Sequence, residues 1–342
     1  MTEARFYRKM EDDKVRCLLC PHHCLISSGK RGLCGVRENR GGVFYSLVYQ
    51  KAVSSHVDPI EKKPLFHFLP GSTSFSVATV GCNLSCRFCQ NSDISQASRE
   101  TAEIYGYDLP PPEVVRQAKQ SGCLSISYTY TEPTVFFEYA FDTAVLAKKE
   151  NLANNFITNG YIEAEPLKAI APYLDAANVD LKSFRDEYYR KICGARLKPV
   201  LDTLVLMKER KIWLEVTTLV LPGQNDSEAE LRDIAFFIRD NLGLETPWHI
   251  SRFFPRYRMD TFPSTPPETI ERARRIGLDA GLQFVYSGNL AGGSGENTFC
   301  PGCGKAVISR FGFALTENKI RGGRCSFCGT RVAGVFLVEV KE

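Results

Sequence analysis

Short β-branched or aromatic runs recur between residues 75 and 286, and amphipathic stretches separate them. The runs are FSVATV (75–80), LSISY (124–128), NFIT (155–158), ANVDL (177–181), WLEVTTLVL (213–221), WHISRF (248–253) and QFVY (283–286). Their length and composition read as buried strands. The stretches between them read as helices. PPEVVRQAKQSG opens on prolines and stops at Gly122, and EPTVFFEYAFDTAVLAKKE has Pro133 near its first turn and lysines in its last. DSEAELRDIAFFIRDNLG offers Asp226 or Ser227 as N-cap and ends at Gly243, and TPPETIERARRIGLDAG repeats the plan. Parallel neighbours in a sheet need a crossover, usually helical, so the alternation predicts an α/β fold with a parallel sheet. Six or seven such units fit an open, partial (β/α) barrel, and in such folds the chemistry gathers at the C-terminal ends of the strands.

The flanks differ from this core in their cysteines. Of thirteen in the chain, four lie near the N-terminus (Cys17, Cys20, Cys24, Cys34), three in one loop (Cys82, Cys86, Cys89) and four near the C-terminus (Cys300, Cys303, Cys325, Cys328), while Cys123 and Cys193 stand alone. The N-terminal stretch MTEARFYRKMEDDKVRC has no apolar run of signal-peptide type, and no stretch approaches ~18 apolar residues. A cytoplasmic location and no membrane partner are expected. In a reducing compartment clustered cysteines read as metal ligands, not disulfides, and the two lone ones as structural thiols. The net charge of +4 carries no dense basic block, so nucleic acid is not an expected partner. The expected division is a cysteine-rich region over 1–72, the barrel over 73–294 and a four-cysteine ribbon over 295–342.

Each cysteine set suggests its own chemistry. GCNLSCRFCQN (81–91) follows the first strand and spaces its cysteines C-x3-C-x2-C. Four thiolates normally hold a [4Fe–4S] cube, so three leave one iron open to a substrate or cofactor. Structural zinc takes four protein ligands, and this loop has no histidine to supply the fourth. CPGCG and CSFCG form paired C-x2-C-G knuckles, whose ligand type fits structural zinc or a rubredoxin-like iron. The N-terminal C-x2-C-P-H-H-C-x9-C fits zinc, an auxiliary [4Fe–4S] cluster, or mixed ligation through His22 or His23.

Cys82-x3-Cys86-x2-Cys89, with Phe88 before the last cysteine, resembles the signature of radical S-adenosylmethionine (SAM) enzymes. The resemblance implies a partial (β/α)6 barrel whose open iron chelates the amino and carboxylate groups of SAM. It also implies reductive cleavage to methionine and a 5′-deoxyadenosyl radical, which takes a hydrogen atom from a substrate. Tyr130-Thr131-Glu132-Pro133 stands where the family has a Gly-Gly-Glu-Pro-like motif, and Glu132 fits an acceptor for the SAM ammonium. Thr158 and Asn159 of TNG and Asp180 and Lys182 of DLK resemble strand ends of the activating-enzyme branch. There Asp180 would accept from a ribose hydroxyl and Lys182 would meet a carboxylate. Ile157 stands where many activating enzymes have an acidic residue, so a cation site is not expected. Thr217 and His249 complete the candidate cofactor set, beside Glu215, Arg252, Gly288 and Asn289. Each has a bland alternative: Glu132 as a helix N-terminal residue, Asp180 and Lys182 as an ion pair, His249 as a satisfied core histidine. Arg252, Arg256 and Arg258 read equally as an anion site or a solvated basic patch.

Over nearly the whole chain, CLLCPHHCLISSGKRGLCGVREN, CRFCQN, YTEPT, TNG, DLK, VLPGQND, HISRFFP, YSGN and CPGCG…CSFCG together resemble the AmmeMemoRadiSam-system radical SAM family, related to pyruvate formate-lyase activating enzymes. Ser92 departs from the tryptophan more often found after CQN. The resemblance implies a reductant such as ferredoxin or flavodoxin, and Memo-like and AMMECR-like partner proteins. It leaves the substrate open between a small metabolite or modified nucleotide and the glycine of a partner glycyl-radical enzyme. A non-catalytic iron–sulfur or zinc-ribbon interaction protein is the reading from another class. The TEP, TNG and DLK strand ends argue against it, since a carrier needs no SAM pocket.

Overall fold

The computed structural model describes residues 1–290 and 293–337. Among these, the central sheet has eight strands: β1 Ser54–Pro59, β2 Thr73–Ala78, β3 Ser125–Tyr128, β4 Ala153–Thr158, β5 Ala176–Asp180, β6 Trp213–Val220, β7 Trp248–Arg252 and β8 Val285–Gly288. They lie side by side in chain order, and β2 to β8 are parallel. β1 and β8 do not pair, so the sheet is open. The seven expected runs are the seven parallel strands. The sheet thus has one parallel strand more than a six-unit barrel, and β1 adds an antiparallel edge on β2. β1 falls within the residues expected to form the cysteine-rich region.

The crossovers are helices α1 Pro111–Gln120, α2 Phe137–Lys149, α3 Ala164–Ile170, α4 Leu197–Glu209, α5 Glu228–Phe237 and α6 Pro267–Asp279. Their starts follow local chemistry. Prolines occupy the first turns of α1 and α6, where no amide donor is missed. Ser227 Oγ caps α5 by accepting from Glu230 N at 3.3 Å. In α1 the buried face is Val114, Val115 and Ala118, one stripe of a 3.6-residue period. Each such valine contributes about 1.5–3 kcal/mol by leaving water.

The β1–β2 connection closes one end of the barrel. Pro59 pairs with Thr73, so the connection leaves at the N-terminal end of β2. There Glu215, fully buried on β6, accepts the backbone N–H groups of Phe66 at 3.0 Å and His67 at 2.8 Å, and Asn178 Nδ2 donates to Pro64 O at 2.8 Å. Buried backbone groups need such partners. The C-terminal strands β9 Thr298–Phe299, β10 Ala306–Phe311 and β11 Ala314–Asn318 pack against this plug. Arg310 Nη2 donates to Phe66 O at 2.7 Å. At the other flank Arg37 binds Glu138 of α2 through two contacts of 2.8 Å, with both side chains buried. No helix among the described residues is long and apolar enough to cross a membrane.

Candidate active site

The three-cysteine loop starts where β2 ends, on the side away from the plug. Gly81 turns the chain at φ 100°, and a Cβ there would stand 2.5 Å from Val36 Cγ1, so glycine is required. Sulfur acceptors in the loop meet fixed donors. Leu84 N lies 3.4 Å from Cys82 Sγ, Asn159 Nδ2 3.6 Å from it, and Ser95 Oγ 3.2 Å from Cys89 Sγ. Burial pushes the Cys82 and Cys89 thiols above their ordinary range, and a hydrogen bond with the Cys193 thiol raises Cys86. Bare thiols here stay protonated, and iron displaces those protons on binding. Soft thiolates under N–H donors fit a [4Fe–4S] group.

The sequence reads Cys193 as a lone structural thiol. It sits beside Cys86, because Ser85 N donates to Cys193 O at 2.8 Å and Arg87 N to Ile192 O at 3.0 Å. These are long-range contacts, and no spacing rule signals them. Cys123 is buried elsewhere, below α1.

Glu132 joins the TEP and TNG strand ends beside Cys82. Its Oε1 accepts from Thr134 N at 3.0 Å, Thr134 Oγ1 at 2.6 Å and Thr158 Oγ1 at 2.8 Å, and its Oε2 accepts from Asn159 N at 2.8 Å. Burial raises its carboxyl above the usual range, against these donors, and its charge in turn raises Cys82. Asn159 Nδ2 reaches Asn83 Oδ1 at 2.9 Å. Thr131 Oγ1 donates to Thr79 O at 2.8 Å, and Tyr130 O accepts from Asn91 Nδ2 at 2.7 Å. The Tyr130 ring turns away, with its hydroxyl on Asp58 and Lys63 Nζ 4.3 Å from the ring centre.

Lys182 Nζ lies 2.7 Å from Asp180 Oδ2, with the lysine side chain 12% exposed and the aspartate 42%. Burial alone lowers the Lys182 ammonium, but Asp180 and the Cys86 and Cys193 sulfurs outweigh it and hold it charged. Nζ also lies 5.7 Å from the Phe88 ring centre. The pair therefore faces the cluster loop.

Thr217 and His249 are grouped with the plug instead. Thr217 Oγ1 donates to Asn178 Oδ1 at 2.8 Å. His249 Nε2 meets Glu215 Oε2 at 2.6 Å, and its ring stacks on Tyr286 at 5.1 Å. Arg256 pairs with Asp93 at 2.6 Å and Arg258 with Glu100 at 3.1 Å, all solvent-exposed, and Arg252 donates to Thr265 O. Gly288 ends β8, and Asn289 Nδ2 donates to Arg252 O at 3.2 Å.

The C-terminal thiols of Cys300, Cys303, Cys325 and Cys328 all lie within 4.8 Å of one another. The Cys300–Cys328 and Cys303–Cys325 sulfur separations are 3.6 and 3.8 Å. A tetrahedron of ~2.3 Å metal–sulfur bonds has edges of ~3.8 Å, so the set fits one ion. Gly304 and Gly329 turn both knuckles at φ 69° and 76°.

Comparison with known proteins agrees with this arrangement. Residues 76–235 match the profile of the Radical SAM superfamily. The protein MJ0808 of Methanocaldococcus jannaschii is 48% identical over 97% of this chain and 99% of its own. The isethionate sulfite-lyase activating enzyme of Nitratidesulfovibrio vulgaris is 25% identical over 48% of this chain and 57% of its own. Streptococcus suis SuiB, solved with its precursor peptide SuiA, superposes with a TM-score of 0.50 at 16% identity, over 67% of this chain and 51% of SuiB, and shares the fold. A three-cysteine loop at the mouth of a mostly parallel open sheet, with this profile over residues 76–235, makes the chain an enzyme of the radical SAM superfamily.

Proposed function

We propose that the chain belongs to the AmmeMemoRadiSam-system branch, works in the cytoplasm, and removes a hydrogen atom from a small metabolite or modified nucleotide. Cys82, Cys86 and Cys89 would hold a [4Fe–4S] cluster with SAM on its open iron. When bound, that pair supplies one-electron cleavage of the sulfonium and hydrogen abstraction. The observation that carries the reading is Glu132. Among the described residues its Oε2 has a single donor, Asn159 N, and so keeps acceptor capacity for an ammonium beside Cys82. Thr158 and Asn159 hold that carboxylate in place, while the backbone at Tyr130 and Thr131 fixes the strand end next to it. Asp180 offers an acceptor to a ribose hydroxyl, and Lys182 offers a cation to a carboxylate. Zinc at the C-terminal thiols would be structural. A ferredoxin or flavodoxin would supply the electron, and Memo-like and AMMECR-like proteins would act alongside.

Activation of a glycyl-radical enzyme is the second reading, supported by the name of the Nitratidesulfovibrio relative. The test is anaerobic reconstitution with iron and sulfide, then SAM and dithionite, with 5′-deoxyadenosine measured by chromatography. Its formation supports the reading, and none from cluster-loaded protein overturns it. Deuterium recovered in 5′-deoxyadenosine from a labelled small substrate, or from a labelled partner glycine, separates the two substrate classes.

A further inference from the structure

Cys17, Cys20, Cys24 and Cys34 line one internal void of about 20 Å³, together with His22, Arg37 and Asn83. Close-packed interiors leave few voids, and this one exceeds the ~10–15 Å³ that a single water needs. The four thiols come from separate turns. Cys17 ends a strand, Val15–Cys17, and is tied to Cys24 by an N–H···O bond of 3.0 Å. Cys20 and His23 form a tight turn of 3.1 Å, and Cys34 precedes Gly35, whose φ of 75° bends the chain back against Ser98.

Two observations specify what the void takes. The first is spacing. Among the described residues the ligand set gathered within 4.8 Å is the C-terminal one, and the N-terminal thiols are not drawn together that closely. A single ion needs sulfurs ~3.8 Å apart, whereas a cube with an iron at each thiolate holds them wider. The second is Arg37. Its guanidinium is 1% exposed, it lines the void, and its Nε finds no acceptor among the described residues although Nη1 and Nη2 are both engaged. A buried N–H without an acceptor is rare, because it gives up its water without gaining a partner. Thiolate or sulfide at the void would supply the acceptor, and the guanidinium would offset the negative charge of the group.

We propose that Cys17, Cys20, Cys24 and Cys34 hold a second [4Fe–4S] cluster, fully ligated by protein, under the Nε of Arg37. It would lie directly behind the first loop. His22 Nε2 is 2.8 Å from Asn83 O, Asn83 lines the void and follows Cys82, and Arg99 Nη2 donates to Cys82 O at 2.8 Å.

The test uses the full chain with Cys82, Cys86 and Cys89 all changed to alanine, which leaves the N-terminal thiols intact and is independent of SAM cleavage. After anaerobic reconstitution with ferrous iron and sulfide, about four irons and four acid-labile sulfides per chain are expected from a four-thiolate cube, with an EPR signal on dithionite reduction. The C-terminal set, spaced for one ion, contributes no sulfide. Protein that binds zinc without sulfide, or binds no metal at the N-terminal set, overturns the proposal. In the same background Cys20→Ser should abolish the signal or convert it to a three-iron type. An unchanged spectrum would overturn it equally.

Discussion

Glu132 Oε2 accepts the backbone N–H of Asn159 at 2.8 Å across 27 residues of chain, which locks the ends of β3 and β4 together beside Cys82. A charged acceptor in a buried site contributes more than a neutral one. Glu132→Gln keeps the shape and removes the charge. Its SAM affinity should fall at least tenfold, ~1.4 kcal/mol, in anaerobic equilibrium dialysis of the cluster-loaded protein.

Cys82→Ala, Cys86→Ala or Cys89→Ala should each abolish 5′-deoxyadenosine formation. Cys86 lies in the buried core and Cys82 and Cys89 pack against it, but each change removes one sulfur atom from a core made mostly of strand and helix side chains. Far-UV circular dichroism should therefore match the parent chain, and reductive SAM cleavage by the triple variant would remove the loop from the chemistry.

Asp180→Ala and Lys182→Ala should each weaken SAM binding about tenfold, ~1.4 kcal/mol. Asp180 is 42% exposed although Lys182 is only 12% exposed, and solvent at the aspartate holds the pair's contribution to stability near ~1 kcal/mol. Melting temperatures near the parent value with intact SAM affinity would make the contact at 2.7 Å a simple ion pair.

Cys300→Ser should release the C-terminal ion and open residues 298–337 to proteolysis, since metal binding there contributes folding free energy. The measurement is metal content by mass spectrometry alongside limited trypsin digestion. Full metal retention with an unchanged digest would count against a structural ion.

Acid should loosen the plug. Burial holds His67 down at about 4, with Glu215 opposing and Arg310 and His249 nearby. An unfolded histidine titrates near 6.5, so between the two values the unfolded chain binds the extra proton. Stability should therefore rise with pH from about 4 to 6.5, by at most ~3 kcal/mol. A pH series of melting temperatures checks this, and His67→Gln should flatten that part of the curve.

The sequence spoke clearly where the physics is local. Apolar strand runs, proline at helix starts and Gly122 or Gly243 at helix ends depend on neighbours in the chain, and the parallel strands follow from them. β1 was not legible, because SSHVDP is polar and ends in proline, and its place is set by pairing with β2. Helix α4 was missed for a similar reason, with Pro199 inside its first turn. The site divides the same way. Cys82, Cys86 and Cys89 announce themselves by spacing. By contrast, the engagement of His249 with Glu215, and the approach of Cys193 to Cys86, arise only when distant segments pack.

The plug at the N-terminal end of the barrel makes the C-terminal strands part of the barrel's own closure. Val335 N donates to His67 O at 2.7 Å, Leu69 N donates to Val335 O at 2.7 Å, and Arg310 holds Phe66 O. A chain cut after residue 294 would leave these backbone groups bare at the base of the sheet. Such a chain could not be trimmed to a minimal catalytic unit, nor could its ribbon be traded for another lineage's tail by a single recombination. Barrel and ribbon thus close one another, and an insertion at the base would break backbone pairs that an insertion at the mouth leaves untouched.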